Sequence, residues 1–307
     1  MFGRSESEAT DCGCTCSTAG GSLQVEATDC PANGDLAASS DCRRTVIEAI
    51  GRSEIDRIAV TAGGVERIYD GTAVERLRAA ADFASKVAGR AERLASLART
   101  DPKQAANEAS GRAGLVGEAA AETGFEEWAG EADYEEIIPD CQGPSIAASR
   151  LDRRPPAAAS LREARVIDSG ATVRIYDVPD DRPIYQLEPL EYTLEDAALE
   201  RLAEAKARLV STAPESPTDP RAAVAGVAGP NTPVDRLTRV LGKHTAGYGV
   251  FEDLFSDPQL SEVFVNAPAS ENPLFVRANG SAFRTNVTLG ALGTDRLAAG
   301  VAPPRSR

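Results

Sequence analysis

The sequence predicts an α+β fold, with a small cysteine-rich N-terminal subdomain, a helical region, and a small mixed module of helices and a β-hairpin. Three observations predict this class. Five cysteines fall within residues 12–42, and an alanine-rich segment with helical spacing follows over 71–140. Residues 233–290 combine helical spacing, alternating strands and an Asn-Gly turn.

These patterns divide the 307 residues into successive parts, separated by Pro- and Gly-rich stretches. The predicted parts are a cysteine-rich zinc-binding subdomain at 1–70, a helical region at 71–140, a hairpin plus helix at 160–212, a linker at 213–232, the mixed module at 233–290 and an atypical tail at 291–307.

Charge limits the classes of partner. The formal net charge is −14 and the sequence pI about 4.7, which argues against nucleic acid as a partner. Lysine accounts for only four of the 33 basic residues, and a surface rich in carboxylates suits a halophilic organism. An ordinary acidic protein is the alternative. No apolar run approaches the roughly 18 residues of a membrane span, so the sequence predicts a cytoplasmic protein that reaches the inner face of the membrane through a partner.

The cysteines predict a metal site. Cys12, Cys14 and Cys16 alternate with single residues, and Cys30 and Cys42 follow. In a cytosolic protein clustered thiols indicate metal before disulfide, and four thiolates satisfy Zn²⁺. The preferred ligands are Cys14, Cys16, Cys30 and Cys42, with Cys12 as a substitute. Thiols that bind no metal remain the alternative, and Cys141 is distant from the cluster.

The first half of the chain predicts strands, then helices. Leu23 and Val25 alternate with polar residues, and a strand pair surrounds the turn Ala62-Gly63-Gly64. A capping box at Thr72 and Glu75 predicts one long helix ending near Arg99, and Asp101-Pro102 begins another. Large apolar residues close this region and are expected in its core: Phe125 and Trp128.

The second half predicts a hairpin between Val173–Tyr176 and Ile184–Leu187, then a helix over 192–210. An amphipathic helix begins at Val234 and ends before Gly247. A short acidic helix, a strand at Val263 and a hairpin turning at Asn279-Gly280 complete the prediction.

This last part resembles a known family. Its features are Gly247-Tyr248-Gly249, Leu254 with Asp257-Pro258, the strand end Val265-Asn266-Ala267-Pro268 and the Asn279-Gly280 turn. In this order they are similar to the domain ahead of the motor in type II/IV secretion ATPases of haloarchaea. That family powers type IV pilus, archaellum-like and secretion systems. The resemblance is best over the last quarter of the chain.

The resemblance implies a non-catalytic N-terminal part of such an ATPase, which serves assembly of a hexameric homo-oligomer and docking to a membrane platform protein. It also implies that Arg277 and Arg284 approach nucleotide bound at a neighbouring motor domain. The alternative for both arginines is an ordinary solvated charge on a strand. ATP and Mg²⁺ would bind only with the motor domain present. A stand-alone zinc-binding interaction module, without ATPase activity, is the alternative function.

ATP hydrolysis needs a P-loop, G-x-x-x-x-G-K-[ST], and the sequence contains none. Gly242-Lys243-His244 comes nearest, but histidine replaces the required Ser or Thr. The chain alone is therefore predicted to be inactive. The tail after Leu289 departs from the family, which predicts a truncated or split ATPase. His244 is expected to cap or pack a helix, and the pair Glu252-Asp253 to lie on the surface.

Overall fold

The computed structural model describes residues 12–51, 54–130, 132–154, 158–211, 219–269, 272–290 and 293. The chain forms two compact units, Met1–Cys141 and Gln142–Arg307. Helices and two mixed sheets build them, so the broad prediction of a mixed fold with a cysteine cluster near the N-terminus is confirmed. Within the described residues, no helix combines the length and the apolar character needed to cross a bilayer.

The first unit is built on a mixed sheet. Two antiparallel hairpins lie side by side, and their inner strands run parallel because helix α1 (Ser40–Ile50) crosses between them. A short strand, β5 (Cys141–Pro144), begins at the last residue of this unit. The two hairpins consist of β1 (Thr15–Ala19), β2 (Ser22–Glu26), β3 (Arg57–Ala62) and β4 (Val65–Asp70).

The helices of this unit depart from the prediction at two points. The single helix expected from Thr72 to Arg99 is divided, because the chain leaves helical geometry at Ala88 and Gly89 takes a φ of +76°. The predicted capping box is also wrong, since Gly71 occupies the N-cap and no side chain caps the helix. The helices are α2 (Thr72–Val87), α3 (Glu92–Thr100), α4 (Pro102–Ala109), α5 (Leu115–Thr123) and α6 (Tyr134–Ile137), with a 3-10 turn at Phe125–Trp128.

One apolar core joins the sheet and helices of the first unit. Small alanines bring α2, α3 and α4 close together, as ridges of small side chains allow. Phe83 stacks on Phe125 with ring centroids 4.1 Å apart, and the Trp128 indole donates to the Arg76 carbonyl oxygen at 2.9 Å. The predicted core positions of Phe125 and Trp128 are confirmed. The predicted subdomain at 1–70 and helical region at 71–140 therefore lie together in this unit.

The second unit contains the other sheet, of order β10-β11-β12-β9-β8-β7 with β6 paired to β12. Its strands are β6 (Ser149–Leu151), β7 (Ser160–Val166), β8 (Thr172–Asp177), β9 (Ile184–Glu188), β10 (Leu260–Phe264), β11 (Pro273–Ala278) and β12 (Ser281–Leu289). The predicted hairpins β8–β9 and β11–β12 both form, and Asn279 and Gly280 take the positive φ values of +49° and +79° that such a turn requires. A parallel pairing of β9 with β12 joins residues from the predicted 160–212 and 233–290 parts in one sheet.

Four helices of the described residues accompany this sheet: α7 (Asp196–Ser211), α8 (Pro220–Ala225), α9 (Val234–Thr245) and α10 (Val250–Phe255). The expectation of a flexible linker at 213–232 is wrong for α8, because Ala223 and Val224 are buried against α7 and α9. Asp219 caps this helix by accepting from the Arg221 backbone N–H at 3.0 Å. Residues 213–218 and most of the predicted tail at 291–307 lie outside the described residues.

Candidate metal centre

Four cysteines of the first unit converge. The sulfur atoms of Cys12, Cys14, Cys30 and Cys42 all lie within 4.8 Å of one another. Cys42 is the common neighbour, with its Sγ at 3.4 Å from that of Cys30, 3.7 Å from Cys12 and 3.9 Å from Cys14. Thiolates at about 2.3 Å from a tetrahedral Zn²⁺ stand about 3.8 Å apart. The three separations from Cys42 are thus close to those between ligands of one zinc ion.

Secondary structure holds two of these sulfurs in place. Cys42 lies in the first turn of α1, where its backbone N–H is capped by the Ser39 hydroxyl at 3.2 Å. The positive end of the helix dipole therefore favours a thiolate at this position. Cys30 begins the turn Cys30-Pro31-Ala32-Asn33-Gly34, and its sulfur accepts hydrogen bonds from the backbone N–H groups of Ala32 and Gly34. Both sulfurs lie where donors stabilise an anion.

Burial makes the cluster dependent on a cation. Burial raises the pKa of the Cys14 thiol, and it raises that of Cys42 to about 12. At Cys30 burial would raise the pKa, but hydrogen bonds from the N–H groups of Gly34 and Ala32 and from the thiols of Cys42 and Cys14 together lower it to about 7. Four clustered thiolates, two of them buried, repel one another unless a divalent cation binds between them. The donor set therefore fits Zn²⁺, which also prefers sulfur ligands in fours at structural sites.

Two glycines give the cysteine-bearing segments room. A Cβ on Gly13 would approach the Asp29 carbonyl oxygen to 2.7 Å, so glycine lets the Cys12–Cys14 segment pass close to the Cys30 turn. Gly34 has a φ of +66°, and a Cβ there would lie 2.8 Å from the Ala27 Cβ and closer still to Val60. The geometry of the metal site therefore depends on close packing around Gly13 and Gly34 as well as on the four thiols.

Replacing Gly34 by alanine is expected to weaken zinc binding and to lower the stability of the first unit by roughly 3 kcal/mol. Strain at positive φ contributes about 1 kcal/mol, and displacement of Val60 adds an overpacking cost of about 1–3 kcal/mol. Chemical denaturation followed by Trp128 fluorescence measures the change. Gly63→Ala is the matched control, because Gly63 has a φ of +53° but open space around its Cβ position. Equal losses in both variants would contradict the role of close packing at Gly34.

The observed cluster differs from the predicted ligand set at one of its four residues. Cys14, Cys30 and Cys42 lie in the cluster, and the substitute Cys12 takes the place expected for Cys16. Cys16 already belongs to β1, where it pairs with Val25 across the hairpin, and its sulfur is not among the four that converge. Cys141 lies at the start of β5 and is not a member.

The two arginines singled out in the sequence lie on neighbouring strands of the second unit. Arg277 on β11 and Arg284 on β12 project from the same face of the sheet, because Phe275 is opposite Arg284 and two residues before Arg277. Both are exposed. Arg277 forms an ion pair with Glu262 at 3.2 Å and lies over the Phe264 ring.

A buried ionic cluster in the second unit was not predicted. Lys243 Nζ lies 2.7 Å from both Glu191 Oε2 and Asp253 Oδ2, and His244 Nε2 lies 2.8 Å from Glu191 Oε1. The expected surface position of Asp253 is wrong, since this residue is only 1% exposed. A signal existed in the sequence, because His244 follows Leu237, Val240 and Leu241 at helical spacings on the buried face of α9. This cluster links α9, α10 and the 3-10 turn Leu190–Thr193.

Acid is expected to destabilise the second unit through Glu191. Burial would raise the pKa of this carboxyl, but the hydrogen bond from His244 and the charge of Lys243 lower it from 4.5 to about 2. The resulting stabilisation, about 3 kcal/mol, is present above pH 4.5 and is lost as pH falls towards 2. Amide hydrogen exchange of α9 peptides across this range measures it, and Glu191→Gln should flatten the profile. An unchanged profile in that variant would contradict the assignment.

Comparison of the chain with models of known families, with curated proteins and with solved structures finds no match.

Proposed function

We propose that this protein is a non-catalytic interaction module whose first unit binds one structural Zn²⁺ through Cys12, Cys14, Cys30 and Cys42. The observation that carries the proposal is the convergence of four sulfurs within 4.8 Å from three separate segments. A set of four thiolates fills the tetrahedral sphere and leaves no position for substrate, as in structural rather than catalytic zinc sites. The metal would tie the segment before β1 to the Cys30 turn and to α1.

Metal analysis of the purified chain tests the zinc proposal. We expect one zinc ion per chain, and replacement by Co²⁺ should give the visible absorption of a tetrahedral thiolate site. Cys16→Ser should keep the metal, whereas Cys12→Ser should lose affinity. Iron in place of zinc would overturn the metal assignment, because tetrahedral thiolate sites also accept iron. Protein that binds neither metal would overturn the site itself.

We also propose that the second unit is the docking half of a type II/IV secretion ATPase. The element order supports this: α9, α10, β10 and the β11–β12 hairpin follow one another as that family resemblance implies. The exposed arginines support it as well, since Arg277 and Arg284 share one face of the sheet and would present two cations to a nucleotide-bearing neighbour. In this proposal ATP hydrolysis belongs to the motor domain.

Mixing the full chain with the motor domain of a haloarchaeal secretion ATPase tests the docking proposal. We expect a ring-sized complex in light scattering at high salt, and no ATP turnover by the chain alone. Arg284→Glu should weaken the complex, while Arg221→Glu should not, because Arg221 is an exposed arginine on α8 rather than on the sheet. Equal binding by both variants, or ATP turnover by the isolated chain, would overturn this proposal.

A further inference from the structure

The four clustered thiols differ in their access to solvent. Cys30 and Cys42 are 3% and 0% exposed, whereas Cys12 and Cys14 are partly exposed. Cys12 also lies before β1, in a segment without regular secondary structure, whereas Cys42 is fixed by a helix. An oxidant dissolved in water therefore reaches the Cys12 side of the cluster first.

Cys42 is placed to react with any oxidised member of the cluster. Its sulfur lies 3.7 Å from that of Cys12 and 3.9 Å from that of Cys14. The shortest separation, 3.4 Å, joins Cys42 to Cys30, but both of those residues are buried. Access of the oxidant, rather than the shortest separation, then selects the sulfur that reacts first. Cys12 is the least buried member of the set and its sulfur lies 3.7 Å from that of Cys42, which favours Cys12 as the partner in a disulfide.

We propose that the cluster is also an oxidation site, at which hydrogen peroxide converts Cys12 and Cys42 to a disulfide and the zinc ion is released. The inference rests on the proposed zinc binding. Two members of the ligand set have different roles. Cys12 is the thiolate that attacks the peroxide, and Cys42 is the thiolate that then attacks the oxidised Cys12 sulfur to form the disulfide. Cys14 and Cys30 take no part in the new bond.

The chemistry balances with one peroxide for each disulfide. The Cys12 thiolate attacks one peroxide oxygen, the O–O bond breaks, and a sulfenic acid and a hydroxide form. The Cys42 thiolate then attacks the Cys12 sulfur, the S–O bond breaks, and a second hydroxide leaves as the S–S bond forms. The two sulfurs supply the two electrons that the peroxide accepts. Only two thiolates remain for Zn²⁺, which departs as Cys14 and Cys30 take up protons.

Zinc-loaded protein in which Cys16 and Cys141 are both replaced by serine provides the sharpest test. Within the described residues, this variant keeps only the four clustered thiols. It is treated with hydrogen peroxide, released zinc is followed with a chromogenic chelator, and disulfides are located by peptide mass mapping. We expect complete release of zinc, one ion per disulfide, with Cys12 joined to Cys42, and recovery of binding after reduction with a thiol.

The possible outcomes separate this inference from the zinc proposal. Protein that contains no metal before oxidation overturns both. Zinc that stays bound while peroxide is consumed overturns the oxidation site alone. So does release with Cys30 joined to Cys42, since access would then not select the reacting sulfur. Release that occurs in the wild type but not in the double variant would show that Cys16 or Cys141 is the resolving thiol, which contradicts the role given to Cys42.

Discussion

Replacement of Cys42 by serine is expected to abolish zinc binding and to destabilise the first unit by about 4 kcal/mol or more. Free zinc at roughly a thousand times its dissociation constant stabilises a folded site by about 4 kcal/mol. Cys42 contacts all three other sulfurs, so its loss removes the shared neighbour of the set. Urea denaturation in the presence of zinc measures the change, with fluorescence of the single tryptophan, Trp128, as the probe.

Two comparisons separate loss of metal from loss of packing. Cys16→Ser replaces a partly exposed thiol outside the set, and it should change stability by less than about 1 kcal/mol. With EDTA present, wild-type protein and Cys42→Ser should come close together, because neither then holds metal. A difference that persists undiminished in EDTA would mean that the buried Cys42 side chain acts through packing alone.

The thiols show how far sequence can predict the site. Five cysteines within residues 12–42 predict a metal cluster, because that prediction needs only the ligand type and its clustering in the sequence. The choice between Cys12 and Cys16 depends on where β1 begins. Cys16 is the second residue of that strand, and its pairing with Val25 fixes its direction. The residue at which β1 begins is set by its pairing with β2, and the spacing of the cysteines in the sequence does not specify that residue.

The strands and turns of the second unit were predictable for a related reason. Asn279-Gly280 requires positive φ at two successive residues, so the hairpin β11–β12 follows from local chemistry. The parallel pairing of β9 with β12 joins residues about 100 positions apart, and no local pattern specifies it. The burial of Asp253 was missed because its partner, Lys243, lies on a different helix. In an acidic chain the pair Glu252-Asp253 otherwise resembles ordinary surface.

Replacement of Lys243 by methionine is expected to destabilise the second unit by about 3–5 kcal/mol. The change removes the cation that lies 2.7 Å from both Glu191 and Asp253, and both carboxylates remain buried. Removal of one partner from a buried ion pair costs this much because the other charge stays uncompensated. Amide hydrogen exchange of peptides from α9 and α10 measures the loss in the unit concerned.

Arg221→Met is the control. It tests whether the destabilisation by Lys243→Met is caused by burial of the charges or by loss of an ion pair as such. Arg221 also lies 2.7 Å from a carboxylate, that of Asp235, but these side chains are 62% and 83% exposed. Its loss should cost no more than about 1 kcal/mol. Similar losses in the two variants would contradict the argument from burial.

The pH dependence of Lys243→Met gives a second, independent check on the same cause. Burial already raises the pKa of Asp253, and Lys243 opposes that shift. Without the lysine, the Asp253 pKa should rise further, so this carboxyl becomes neutral at a higher pH than in the wild type. A neutral carboxyl needs no cation, and the destabilisation caused by the substitution should therefore shrink as pH falls from 7 towards 4. A penalty that stays constant over that range would point to lost packing of the lysine side chain rather than to an uncompensated charge.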